Sequence, residues 1–156
     1  LVSAGAINLS KSKSKFEKAR LVLSELQEIK KENSVDAIII ETSLQAFRPG
    51  MSSAKTLYSL ASFNGVISYI AQDLFDLEPK FVSAVKARSS VGLKIKKNTK
   101  KTKDQVLDWV KNSDLFSKYN WPQKTLTRGP RKDQVIDDPS CFDIADAAVV
   151  ALYYAI

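Results

Sequence analysis

Histidine is absent from the 156 residues, and cysteine occurs once, at Cys141. Without an imidazole there is no Ser-His-Asp or Cys-His nucleophile system and no His-based zinc site. With a single thiol there is no internal disulfide, which fits a reducing compartment. No apolar run approaches the roughly 18 residues that a membrane-spanning helix needs. No signal peptide or lipidation motif is visible. These absences lead to the expectation of a soluble, intracellular protein with no membrane partner and no nucleotide cofactor. Any catalysis would have to run on carboxylates, lysines and hydroxyls.

An apolar fraction of 44% over this length is enough to bury a real core, so one domain is expected over residues 1–156. The formal charge of +7 points toward a polyanionic partner. The chain opens on Leu1 without an initiator methionine, which leads to the expectation that it is incomplete at its N-terminus.

Residues 1–9 read as a short strand and Ser10–Lys15 as a polar connection. Residues 15–32 read as a helix, with Phe16, Ala19, Leu23, Leu26 and Ile29 or Lys30 on one face and Asn33-Ser34 as its stop. Val35–Glu41 carries three consecutive isoleucines, the pattern of a strand buried on both faces of an α/β sheet. After a loop over Thr42–Gly50, a helix is expected from about Ser52 to Phe75, with Ser52 or Ser53 as cap. Its stripe Leu60, Phe63, Ile67, Ile70 and Leu74 is apolar; Ala54, Tyr58, Ala61, Gly65 and Ser68 form a second, mostly small stripe. Lys80–Ala87 reads as a second buried strand. Thr102–Lys111 reads as a helix with Val106, Trp109 and Val110 inward. Ser113–Asp138 reads as a loop or a pair of helical turns. The class is α/β with a mixed sheet.

The final stretch, Cys141–Ile156, holds no charge after Asp146, so a helix buried nearly all round is expected. Asp143 and Asp146, at i and i+3, project from one face. Buried carboxylates must be neutralised or compensated. Asp143 reads either as the helix N-cap or as a metal ligand. Glu41 closes the isoleucine strand, at the end where open α/β sheets gather ligands; it reads either as a ligand or as a solvated strand end. Together, Glu41, Asp143 and Asp146 form an oxygen donor set suited to Mg²⁺ or Mn²⁺, two ions per site. Two such ions about 4 Å apart can serve phosphodiester hydrolysis without histidine. From Lys80 to Lys103 there is no acidic residue. Lys94, Lys96, Lys97, Lys100, Lys101 and Lys103 fall in this stretch, with Gly92 and Asn98 as loop signals. Such a run is either a solvated face or a loop that follows a phosphate backbone.

Taken in order, these pieces resemble the RuvC family of Holliday-junction resolvases, in the ribonuclease-H-like fold. The pieces are Ile38-Ile39-Ile40-Glu41, Phe47, Ser53-Ala54-Lys55-Thr56-Leu57, Phe63-Asn64-Gly65, Val85 to Gly92, Lys103-Asp104-Gln105-Val106 and Asp143-Ile144-Ala145-Asp146-Ala147. The resemblance covers roughly residues 35–156 and is most specific in the last two pieces. It implies a homodimer that cuts two opposed strands of a branched DNA, with Glu41, Asp143 and Asp146 as metal-binding carboxylates. It implies Lys103 beside the scissile phosphate and Lys86 or Arg88 as a second basic contact. Further DNA contacts are expected from Arg48, Lys94, Lys96, Lys97, Lys100 and Lys101. Phe47 is similar in place to an aromatic that wedges into the junction, and reads equally as a core residue. The small stripe of the 52–75 helix is a candidate for the dimer interface.

The family carries a further aspartate on a first strand, in an N-terminal hairpin. Residues 1–9 match the third strand of that fold, and no residue here supplies that aspartate. The expectation is therefore a ribonuclease-H-like domain lacking its first hairpin. Its function is expected to be a magnesium-dependent endonuclease that resolves four-way junctions in DNA recombination and repair. The alternatives are a non-catalytic nucleic-acid-binding module of the same fold, or a nuclease for hybrids or flaps.

Overall fold

The computed structural model describes residues 1–42, 53–97 and 99–155. Phe47 and Arg48, the expected cap Ser52 and the loop residue Asn98 lie outside the described residues. The chain is mixed α/β, and it gathers into two compact units, residues 7–84 and residues 1–6 with 85–156.

In the 7–84 unit, α1 spans Lys15–Glu32. The Ser14 hydroxyl accepts from the Phe16 amide, and Glu17 reaches back to the Ser14 amide, a reciprocal cap that fixes the first turn. Asn33 ends the helix, its side-chain amide donating to the Ile29 carbonyl at 3.2 Å. The inward face is Ala19 and Val22, with Leu23 and Leu26 half-buried; Phe16 and Ile29, expected inward, face solvent. Strand β1 is Ile39–Glu41, and α2 is Ala54–Phe75, capped by the Ser53 hydroxyl on the Thr56 amide at 3.1 Å. α2 ends at Asp76 with φ 56°, a left-handed position that aspartate tolerates. α1 and α2 pack together, and Lys15 Nζ donates to Ser62 Oγ at 2.7 Å. Strand β2, Lys80–Val82, pairs parallel with β1 in the register Ile39↔Lys80, Ile40↔Phe81, Glu41↔Val82.

The structure departs from expectation at three expected strands. Residues 1–9 form no strand. The isoleucine strand is shorter than Val35–Glu41, and Ile38, Ile39 and Ile40 are half-buried rather than covered on both faces. The physical reason is that β1 has one strand neighbour among the described residues, β2, so the parallel sheet has two strands and no interior. The expected strand Lys80–Ala87 stops at Val82, and α3 runs over Ala84–Ser90. That apolar run is short enough to suit either state, and Ala84, Lys86, Ala87 and Arg88 are good helix formers.

In the other unit, α4 spans Thr102–Lys111 and α5 spans Ser140–Ala155. They pack on each other. Val106, Leu107 and Val110 of α4 are buried, as are Cys141, Ile144, Ala145, Ala148, Val149 and Val150 of α5. α5 is not covered all round, because Asp143, Ala147, Ala151 and Tyr154 form an exposed line along it. The segment 113–138, expected as loop or helical turns, instead contains a 3₁₀ turn over Asp114–Phe116 and an antiparallel hairpin. Its strands are β3 (Gln123–Thr125) and β4 (Val135–Asp137), in the register Gln123↔Asp137, Lys124↔Ile136 and Thr125↔Val135. Phe116, Tyr119 and Trp121 cluster at its foot, with ring centroids 5.0–5.6 Å apart and Tyr119 edge-on to the other two. No helix among the described residues is long and apolar enough to cross a membrane.

Candidate active site on the last helix

The start of α5 decides where its carboxylates point. Asp138 Oδ1 accepts from the Ser140 amide at 2.9 Å, and the Cys141 amide donates to the Asp138 carbonyl at 2.9 Å. These bonds with Ser140 hold the Asp138 carboxyl below the usual carboxylate range. The cap is therefore Asp138, and Asp143 lies inside the helix; the N-cap reading of Asp143 is set aside. Cys141 is buried beneath this joint, its Sγ donating to the Pro122 carbonyl at 3.2 Å, and burial pushes its thiol up. It is a packing residue.

One turn along α5 from exposed Asp143 stands Asp146, half-buried. Burial raises the Asp146 carboxyl above the usual range, Arg88 and Lys103 draw it back down, and Asp143 pushes it up. Four residues expected at the site thus share one electrostatic neighbourhood: Asp143, Asp146, Arg88 and Lys103. Arg88 comes from α3 and Lys103 from the first turn of α4, where its Nζ lies 6.0 Å from the Phe142 ring centroid. Lys86, two residues before Arg88 on a helix, points elsewhere, with its Nζ 5.5 Å from the Tyr153 ring centroid. Of the two candidates for a second basic contact, Arg88 is the one beside Asp146.

The basic loop is fastened to α4 by a residue that charge patterning passes over. Gln105 Oε1 accepts from the Lys96 amide at 2.8 Å, and its Nε2 donates to the carbonyls of Lys96 at 3.0 Å and Lys100 at 2.7 Å. Lys94, Lys96, Lys97 and Lys101 are exposed. Lys100 is exposed too, but its Nζ is paired with Asp108, which raises its pKa. Gln105 stands within the Lys103–Val106 piece of the sequence, yet a neutral amide on a helix gives no signal by itself.

Glu41 belongs to the 7–84 unit. It ends β1, and its backbone carbonyl accepts from Asn64 Nδ2 at 3.0 Å. With Ile40, Thr42, Leu57, Leu60, Phe63, Asn64 and Ile67 it lines a largely apolar cleft of about 420 Å³. Among the described residues no three His, Cys, Asp or Glu side chains form a ready group for a metal ion. In the α5 neighbourhood, Asp143 and Asp146 are the side chains able to hold a hard cation. Their chemistry fits one: the donors are carboxylate oxygens, and a cation beside Asp146 would offset the burial that disfavours its charge.

Compared with protein-family models, with curated proteins and with solved structures, the chain shows no significant match.

Proposed function

We propose that the chain is a structure-selective, metal-dependent DNA endonuclease that resolves four-way junctions, with a ribonuclease-H-like, RuvC-type site. The observation that carries this reading is the setting of Asp146: a half-buried carboxylate one turn from Asp143, with Arg88 and Lys103 as its cationic neighbours. Acids that can hold a divalent ion, beside bases that can meet a phosphate, are what phosphodiester hydrolysis needs in a chain without histidine. Asp143 and Asp146 would hold Mg²⁺ or Mn²⁺. Bound there, the ions would supply Lewis acidity and a water of lowered pKa. Lys103 and Arg88 orient the phosphate and stabilise the negative charge that grows on it. Lys94, Lys96, Lys97 and Lys101 follow the flanking backbone, on a loop that Gln105 keeps in place. A homodimer would present two such sites to opposed strands, with the exposed line Ala54, Tyr58, Ala61 and Gly65 of α2 available between copies.

The test is a binding competition at fixed salt between a synthetic four-way junction and the same sequence as linear duplex, followed by cleavage in Mg²⁺ or Mn²⁺. Junction preference with cutting is expected. Asp143→Asn and Asp146→Asn are expected to keep the preference and abolish the cutting. Cutting retained in both variants would overturn the assignment of the carboxylates. Junction preference with no cutting by any form would move the reading to a non-catalytic module.

A further inference from the structure

Residues 115–132 contain five basic side chains, Lys118, Lys124, Arg128, Arg131 and Lys132, and no acidic one. Folding sorts the charge further. At the foot of the β3–β4 hairpin, Asp137 is paired with Lys111 at 2.6 Å and Asp138 caps α5. Two carboxylates are thereby engaged at the base, while Arg128, Arg131 and Lys132 stand exposed at the tip beside one carboxylate, Asp133, the three cations in no ion pair among the described residues. The tip has a defined shape. Gly129 takes φ 83° and Asp133 φ 68°, the Lys132 amide donates to the Gly129 carbonyl at 3.0 Å, and Leu126 exchanges backbone bonds with Asp133 and Gln134. The foot is equally defined, by the aromatic trio and by Lys111 Nζ lying 5.4 Å from the Trp121 ring centroid.

We propose that this hairpin is a second nucleic-acid contact: a basic ribbon that grips the phosphate backbone of a duplex arm through Arg128, Arg131 and Lys132. The inference rests on the nucleic-acid reading of the α5 site and extends it to a separate surface. A two-stranded ribbon, with strands about 4.8 Å apart, is narrow enough to lie along a major groove about 12 Å wide. Arginines at its turn can then meet phosphates with their planar, two-pronged donors. A membrane surface fits less well, because the exposed apolar side chain beside the turn is Val135, and a lone valine offers little to insert.

The decisive experiment compares the chain with an Arg128→Gln/Arg131→Gln/Lys132→Gln variant, binding junction and linear duplex across a salt series. The variant is expected to bind both DNAs roughly tenfold or more weakly at low salt, with a log–log salt slope shallower by about 0.9 for each phosphate that is no longer neutralised. An Arg128→Lys/Arg131→Lys variant, which keeps the charge, is expected to keep most of the slope. An unchanged slope in the triple variant overturns the hairpin proposal. An unchanged DNA slope together with abolished binding to phosphatidylserine vesicles overturns it in favour of a lipid surface. The two readings fail separately. Loss of junction preference in the parent chain, with the triple variant still shallower on duplex, removes the resolvase reading and leaves the hairpin. A junction-selective, cutting parent with an unaffected triple variant does the reverse.

Discussion

Removing the Gln105 side chain should loosen the basic loop without disturbing the core beneath it. Gln105 makes three hydrogen bonds to the loop backbone, one accepted and two donated, at 2.7–3.0 Å. A typical intramolecular hydrogen bond contributes about 0.5–1.5 kcal/mol net. These bonds are partly open to water, which can replace the missing partner, so the lower part of that range applies. Gln105→Ala should therefore cost about 1–2 kcal/mol in the closed form of the loop. The direct assay is amide hydrogen exchange at Lys96, whose N–H is held by Gln105 Oε1. Protection there should fall roughly tenfold, while the amides of Val106 and Val110 inside α4 keep theirs. Gln105→Glu sharpens the test. Its carboxylate can still accept from the Lys96 amide but cannot donate to the Lys96 and Lys100 carbonyls, and would set negative oxygen against them. It should be no better than alanine. Unaltered exchange at Lys96 in Gln105→Ala, or a glutamate that restores full protection, would refute the reasoning.

Two further outcomes follow from particular side chains. Val110 is fully buried in the α4–α5 packing, and Val110→Ala should destabilise that unit by about 2–3 kcal/mol, from the transfer energy of the missing methyls plus the cavity left behind; urea denaturation measures it. Asp138, whose carboxyl is held below its ordinary 3.8 by its bonds to Ser140, stabilises the start of α5 only while ionised. Its contribution is complete above that ordinary value and is lost as pH falls through the lower folded-state pKa. The stability gap between the parent chain and Asp138→Ala should thus be widest near neutrality and narrow on acidification below about pH 4, followed by thermal unfolding at a series of pH values.

The helices were legible because an apolar pattern runs through them. α1 and α4 have their expected bounds, and α2 and α5 differ only at their ends. In α1 and α2 apolar spacing coincides with a cap or a stop, and in α4 and α5 the apolar pattern alone carries the reading. The strands were less legible for the same reason in reverse: β1 and β2 lie within longer expected strands, and β3 and β4 were not expected at all. Each is three residues long, and β3, Gln-Lys-Thr, carries no apolar residue to alternate. Three residues cannot establish a period, and the pairing that makes them strands comes from a partner elsewhere in the chain. Lys80–Ala87 misled because a run of that length contains both a strand and the opening of a helix. At the site, residue type was informative where burial and charge oppose each other: Asp143 and Asp146 with Lys103 and Arg88. Position within a piece was less so, since Lys86 and Arg88 looked equivalent until a helix separated their directions. Glu41 ends its strand as expected, beside an apolar cleft that no motif announced.

The joint between hairpin and helix has a mechanical consequence. Only Asp138 and Pro139 separate the end of β4 from the start of α5. Asp137 is tied to α4 through Lys111, Asp138 is locked to the first turn of α5, and Cys141 is seated on Pro122. The connection therefore holds no free linker, and the bonds that begin α5 are also the ones that fix where the hairpin leaves it. Asp146 lies about 12 Å along the helix from that joint, at 1.5 Å per residue.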